Sequence, residues 1–280
     1  MKKRMMEASR IVAFQKYMKQ EERSEATLEK YTRDVRRFVE YLCDRPLDKA
    51  SVVQYKNALI KEYAVASANS MLAALNAFFR FQGWNDLCVK QFRVQREAYC
   101  SENKELTREE YLRLLQAARD TKGDKLALLL ETICGTGIRV SELKFITVEA
   151  VKRGEALVSC KGKNRRVFLV SVLRKKLLRY IARESLTTGS VFVSGRGCPI
   201  GRTAVWREMK RLCERAGVSS SKVFPHNLRH LFARTFYRLE NDIAKLADIL
   251  GHASINTTRV YIVSTGTEHR RKMESMRLVI

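Results

Sequence analysis

Two arginines, three histidines, a basic turn and a tyrosine follow one another in the second half of the chain in an order that could handle a phosphate. Arg139 comes after Gly135, Thr136, Gly137 and Ile138, and before Val140, Ser141, Glu142 and Leu143. Lys161, Gly162, Lys163, Asn164, Arg165 and Arg166 follow Cys160. His226 lies three residues before Arg229, with His230 next to it; His252 follows Leu250 and Gly251, and Tyr261 comes nine residues later. A guanidinium is planar and can grip phosphoryl oxygens through two parallel hydrogen bonds. A phenol can attack phosphorus and store the bond as a phosphotyrosine where cations favour the phenolate. Arg139 falls where a helix should begin, and a helix N-terminus favours anions. His226 and Arg229 share a face if their segment is helical. Each residue also has a plain reading: Arg139 and Glu142 as helix surface charges, Tyr261 as one of ten tyrosines. His226 and His230 have the spacing of zinc-binding H-E-x-x-H helices. Asn227 replaces the glutamate such sites need as base, and no carboxylate-rich third ligand stands out, so no metal is expected and His230 reads as a packed structural residue.

The elements that must position these groups are mostly helices. Ile11, Val12 and Phe14 open the pattern, and Leu28, Tyr31, Val35, Phe38, Val39 and Leu42 recur at helical spacing over 27–43. After Pro46, Ser51 is placed to cap a helix over 52–63, and 67–81 carries Met71, Leu72, Leu75, Phe78 and Phe79. Four amphipathic helices without a strand pattern make residues 1–97 a small helical domain. Residues 98–105 are polar and aperiodic and read as a linker. Thr107 and Glu110 match a capping box that opens the second domain, 106–280. There an apolar helix over 124–134 breaks at Gly135 and Gly137. Residues 156–159 and 167–170 flank the basic turn as a β-hairpin, and 191–193 are a candidate third strand. The remainder reads as helix punctuated by Gly217, Pro225 and Gly251. The fold class is therefore mainly α with a small antiparallel sheet.

Charge points to the partner. The 280 residues hold 54 Lys and Arg against 30 Asp and Glu, a net charge of +24. Residues 1–97 have 19 basic against 12 acidic groups, and the rest of the chain has 35 against 18. Both parts can thus touch a polyanion, where neutralised phosphates release counterions. A solvated basic surface, a ribosomal protein and a binder of anionic membranes share that charge. The 45% hydrophobic content suits a globular core. Seven scattered cysteines without a C-x-x-C pair suit a reducing cytosol. No apolar run reaches membrane-spanning length and no signal-like core follows the basic N-terminus, so a cytoplasmic protein without a membrane partner is expected.

Taken together, the four segments resemble the tyrosine recombinase family (phage integrase and Xer-like), whose active site is Arg-Lys-His-Arg-His-Tyr, and the resemblance extends over essentially the whole chain. It implies that Arg139 and Arg229 clamp the scissile phosphate, that His252 donates it a hydrogen bond, and that His226 moves a proton or contacts the phosphate. Tyr261 would be the nucleophile, and Glu142 would orient the site. Lys161 would protonate the leaving 5′ oxygen; Cys160 stands where relatives commonly have glycine, so a register shift of two would select Lys163 instead. Lys163, Arg165 and Arg166 are otherwise expected on the DNA backbone. The resemblance makes 1–97 a core-binding domain that closes with the catalytic domain into a C-shaped clamp on double-stranded DNA bearing specific recombination sites. It implies monomers or dimers on single sites, a homotetramer on synapsed DNA working through a Holliday junction, and an accessory directionality factor as a further partner. No cofactor, metal or ATP is implied. With no separate arm-binding domain expected before the helices, a Xer-like or transposon-type enzyme fits better than a lambda-like integrase. The apolar tail, 264–280, would pass to a neighbouring subunit. A type IB topoisomerase-like enzyme and a catalytically inactive DNA-binding regulator are the competing readings.

Overall fold

The computed structural model describes residues 4, 6–43, 45–93, 105–120, 124–160, 163–262 and 273–276. The chain divides into two compact units, 1–96 and 97–280.

The regular elements among the described residues of the first unit are all helical. α1 (Ala8–Gln20), α2 (Glu25–Leu42), α3 (Lys49–Glu62) and α4 (Val65–Phe81) are followed by a single 3₁₀ turn, Asn85–Leu87. On α2 the apolar positions Leu28, Val35, Phe38 and Leu42 are buried, while Arg33, Arg36 and Arg37 are exposed. That separation is what helical spacing of apolar residues produces. The α3 helix starts three residues before the expected 52. Asp48, not Ser51, is the cap: its carboxylate accepts from the Ser51 amide at 2.8 Å, and the Ser51 hydroxyl accepts from the Asp48 amide at 3.1 Å. Two orphan amides are satisfied reciprocally, so the serine belongs to the first turn. Asn76, buried on α4, closes the unit by holding both the amide and the carbonyl of Val89 at 2.9 and 2.8 Å.

The second unit begins its described part at Glu105, so most of the expected linker lies outside the described residues. Thr107 and Glu110 form the capping box expected for α5 (Arg108–Arg119). α6 (Lys125–Thr136) ends at Gly137 in the left-handed region, φ +65°. A Cβ there would stand 2.5 Å from the Phe232 ring, so only glycine fits. Arg139 then caps a 3₁₀ helix, Val140–Phe145, rather than an α-helix, with the Glu142 carboxylate folded back onto the Arg139 amide. α7 (Val148–Arg153) leads into the hairpin of β1 (Glu155–Cys160) and β2 (Lys163–Phe168), paired from Glu155↔Phe168 to Cys160↔Lys163. β2 starts four residues earlier than expected, since Asn164, Arg165 and Arg166 pair with β1 although polar. Residues 191–193 contribute only an isolated bridge, Val193↔Pro199, so the sheet has two strands among the described residues. α8 (Ser171–Arg183), α9 (Arg202–Ala216), α10 (Pro225–Glu240), α11 (Ile243–Leu250) and α12 (Ile255–Ile262) complete the unit. α10 has proline at its first turn, where the missing N–H costs nothing. It packs against α6 on one side and α11 and α12 on the other. Of the tail only 273–276 are described, with Met273 and Met276 exposed. No described helix is long and apolar enough to cross a membrane.

Candidate active site

The site forms where α10, the Gly251 turn, α12 and the Arg139 helix meet. Arg229, on the buried face of α10, is 1% exposed. No carboxylate hydrogen-bonds to it among the described residues; its Nη1 donates to the Gly137 carbonyl at 2.5 Å and its Nη2 to the Leu250 carbonyl at 2.8 Å. Gly137 closes α6 and Leu250 ends α11, so the guanidinium sits on two helix C-termini, whose unpaired carbonyls carry partial negative charge. Burial and the charge of Arg139 lower the group to about 10, which leaves it protonated at neutral pH. Its Nε is buried without a partner.

Arg229 Nη2 also lies 2.9 Å from His252 Nε2. A guanidinium only donates, so Nε2 is the acceptor and Nδ1 carries the proton, which it donates to the Thr258 hydroxyl at 2.8 Å. Burial, reinforced by Arg229, Arg139 and Arg165, lowers His252 to about 4 and keeps it neutral. In this state the ring offers no N–H at Nε2. Gly251, φ +66°, makes the turn that brings His252 in.

Tyr261 is 5% exposed at the end of α12. Its hydroxyl is 3.4 Å from His226 Nε2, and its ring lies between imidazoles, 4.3 Å from the centroid of His230 and 5.4 Å from that of His252. The Arg229 guanidinium carbon is 5.9 Å from the phenol centroid. Burial and the charges of Arg229, Arg139 and Arg202 lower His226, which favours a neutral ring facing the hydroxyl. His230 is pushed down to about 4 by burial, with His226 and Arg229 adding to it. It is a packed neutral imidazole, and among the described residues no group of three His, Cys, Asp or Glu could hold a metal ion.

Arg139 and Glu142 form the outer wall. Glu142 is 1% exposed; it accepts from the Arg139 amide at 2.8 Å, from Arg139 Nη1 at 2.9 Å and from Arg165 Nη2 at 2.6 Å. Burial alone would raise its carboxyl, but those donors and the two guanidiniums outweigh it and hold Glu142 below the ordinary carboxylate range. The Arg139 side chain stays 36% exposed, open to an incoming anion.

Arg139, Glu142, His226, Arg229, His252 and Tyr261 therefore gather at one place. Arg165 points inward to Glu142, whereas Arg166 is 69% exposed with only a 3.8 Å ion pair to Glu155. Lys161 lies outside the described residues, and Lys163 opens β2 opposite Cys160. Sequence reasoning missed Thr258 and the carbonyls of Gly137 and Leu250. Thr258 is six residues after His252 on the buried side of α12, a pattern without a chemical signature.

Comparison with known proteins agrees with this geometry. The Phage integrase family matches residues 104–268, and the phage integrase N-terminal SAM-like domain matches residues 11–85. The tyrosine recombinase XerA of Thermococcus kodakarensis is 33% identical, over 96% of this chain and 95% of the relative. A crystal structure of XerA recombinase aligns with 97% of this chain and 99% of its own, at 25% identity and a TM-score of 0.56. A lambda integrase (75–356) dimer bound to a COC′ core site shares the fold over 92% of this chain and 95% of its own, at 22% identity and a TM-score of 0.74. With the match extending over both units, the chain belongs to the phage integrase family, the tyrosine-type site-specific DNA recombinases.

Proposed function

We propose that this recombinase cuts and rejoins double-stranded DNA at specific sites through Tyr261. The observation that carries the reading is the Tyr261 hydroxyl facing His226 Nε2, with Arg229 and His252 beside the ring. The phenolic oxygen attacks phosphorus while neutral His226 takes its proton, and the P–O bond to the 5′ oxygen breaks, leaving a 3′-phosphotyrosyl link. Lys161, between β1 and β2 in the sequence, supplies the proton that makes the 5′ oxygen a hydroxyl, an effect worth roughly 10²–10⁴-fold. Arg139 and Arg229 hold the non-bridging oxygens, on which charge grows in the transition state. As the phosphate arrives, its charge raises the pKa of His252. The ring then takes a proton from solvent at Nε2, releases the hydrogen bond from Arg229 and donates to the phosphate while Nδ1–H stays on Thr258.

The 5′-hydroxyl of a partner strand reverses the steps. Each P–O bond broken is replaced by another, so no ATP is needed, and the cationic side chains of Arg139 and Arg229 take the charge-stabilising place of a metal ion. The basic helical unit, matching the SAM-like domain, would add phosphate contacts from the exposed Arg33, Arg36 and Arg37 of α2. Four copies would act together on two synapsed sites in the cytoplasm, a reading supported by the lambda integrase tetramer found bound to a Holliday junction.

The test is covalent capture on a nicked DNA site. Wild-type protein should form an SDS-resistant adduct in the presence of EDTA, and Tyr261→Phe should bind the same DNA yet form none. Adduct from the phenylalanine variant would assign the nucleophile elsewhere, and loss on chelation with recovery on adding a divalent ion would replace the mechanism with a metal-dependent one.

A further inference from the structure

Arg165 is a third guanidinium in the site. Along β2 the neighbours Asn164 and Arg166 face solvent, while Arg165 and Val167 face inward. The Arg165 side chain is 13% exposed, and its Nη2 holds Glu142 Oε2 at 2.6 Å. Its Nη1 is buried with no partner, an uncommon state for a donor. Its stem lies across the turn before His252: a Cβ on Gly251 would stand 2.5 Å from Arg165 Cδ and 2.6 Å from its Nε. One side chain thus touches three segments that meet nowhere else in sequence. They are the hairpin strand β2, the 3₁₀ helix capped by Arg139 (through Glu142), and the turn that delivers His252.

Charge sharpens the point. Glu142 is a single buried carboxylate between two guanidiniums. With Arg165 present, neither arginine need neutralise it alone, and Arg139 keeps its exposed face free for an anion. Without Arg165 the buried carboxylate would lean wholly on Arg139, because an uncompensated buried charge is costly. Arg139 would then be drawn back from the phosphate.

We propose that Arg165 is a positioning residue for the strand-transfer reaction, sharing Glu142 with Arg139 and bracing the Gly251 turn so that Arg139 and His252 address one phosphate. The proposal rests on the reading of Arg139, His252 and Tyr261 as catalytic, and the test separates the two. Wild-type protein that forms no Tyr261 adduct overturns that reading; a normal wild type leaves Arg165 on trial alone.

Single-turnover adduct formation is measured at saturating nicked DNA, together with DNA affinity and thermal melting, for Arg165→Gln, Glu142→Gln and the double variant. Arg165→Gln should slow the bound complex about 10²-fold, the scale of an ångström-sized misplacement of a catalytic group. Affinity should remain close to wild type. The double variant should be no slower than the slower single variant, because both changes break one linkage. If R165Q folds poorly, Arg165→Lys carries the comparison: it keeps a cation beside Glu142 and should lie between wild type and the rate expected for R165Q. Losses that multiply in the double variant overturn the proposal. So does an Arg165→Gln protein that binds DNA weakly but reacts at the normal rate once saturated, since Arg165 would then be a backbone contact only.

Discussion

In the first unit the largest fully buried side chains are Phe14, Phe38, Phe78 and Phe79, packed ring against ring at centroid distances such as 5.3 Å for Phe14 and Phe78. Beneath Tyr261 in the second unit the bulkiest fully buried side chain is Arg229. Both regions are built from amphipathic helices, yet one buries apolar surface and the other buries a cation, with His230 and His252 half-buried and His226 exposed beside it. The first gains about 25 cal/mol for each Å² of apolar surface removed from water. On the proposed reading, the second spends stability to hold groups whose use appears only when a phosphate is bound.

Paired substitutions sharpen that contrast most. Phe78→Ala should cost about 3–5 kcal/mol of folding stability, as large aromatic truncations do. The adduct-forming rate of folded, DNA-bound protein should stay near wild type. Arg229→Met should do the reverse, lowering that rate about 10²–10³-fold through loss of a preorganised donor. Its stability loss should fall well short of the Phe78 variant, because removing a buried ion offsets the two carbonyls left without a donor. Denaturant unfolding and single-turnover kinetics on the two variants decide the matter. Equal destabilisation would show that Arg229 is as much a structural strut as Phe78.

Glycine offers a smaller version of the comparison. Gly83 and Gly137 have nearly the same backbone, φ +72° and +65°, but a Cβ on Gly83 meets nothing within 4 Å. Gly83→Ala should therefore cost about 1–2 kcal/mol, the left-handed penalty alone. Gly137→Ala should cost distinctly more and also lower activity, since the Phe232 ring must move beside the carbonyl that seats Arg229. Comparable losses in unfolding experiments would mean that the pocket yields as freely as a surface turn.

The smallest effect is set by pH. All four histidines lie beyond residue 225, so the first unit has none. His230 and His252 are lowered from 6.5 to about 4 in the fold, and His226 is lowered as well. Above pH 6.5 these rings are neutral in both folded and unfolded chains, and their contribution is intact. Between pH 6.5 and about 4 the unfolded chain takes up protons that the fold refuses, so stability is lost as pH falls. Hydrogen exchange, corrected for intrinsic rates, should show protection in α10 and α11 fading over that window before protection in α2 and α4. Parallel loss in both units would mean that carboxylates, not these histidines, govern the acid limit.

The helical unit was largely legible because one periodic signal, repeated in Val35, Phe38 and Leu42, sets both helix and buried face. The site residues were legible as chemical types in an order that resembles a known family, and the structure gathers six of them. What escaped depended on partners that carry no sequence mark. The hairpin was expected, but the first four residues of the strand over 163–168 were hidden because Asn164, Arg165 and Arg166 are polar, and pairing with β1 is a property of distant residues. Arg165 facing Glu142, and Arg166 facing solvent, follow from a one-residue alternation that only the register reveals. The seat of Arg229 is made of carbonyls, which every residue possesses.

That last feature bears on how such a site can change over time. Had Arg229 been fixed by an aspartate, a single codon change could strip away its counter-charge. Its seat belongs instead to the peptide chain at two helix ends, which persists through replacement of side chains so long as α6 and α11 terminate where they do. The neighbouring residues of these helices can then drift while the guanidinium keeps its seat. Vulnerability moves to the terminators themselves, Gly137 and Gly251, where exchanging one hydrogen atom for a methyl group would crowd Phe232 or Arg165 and disturb the seat.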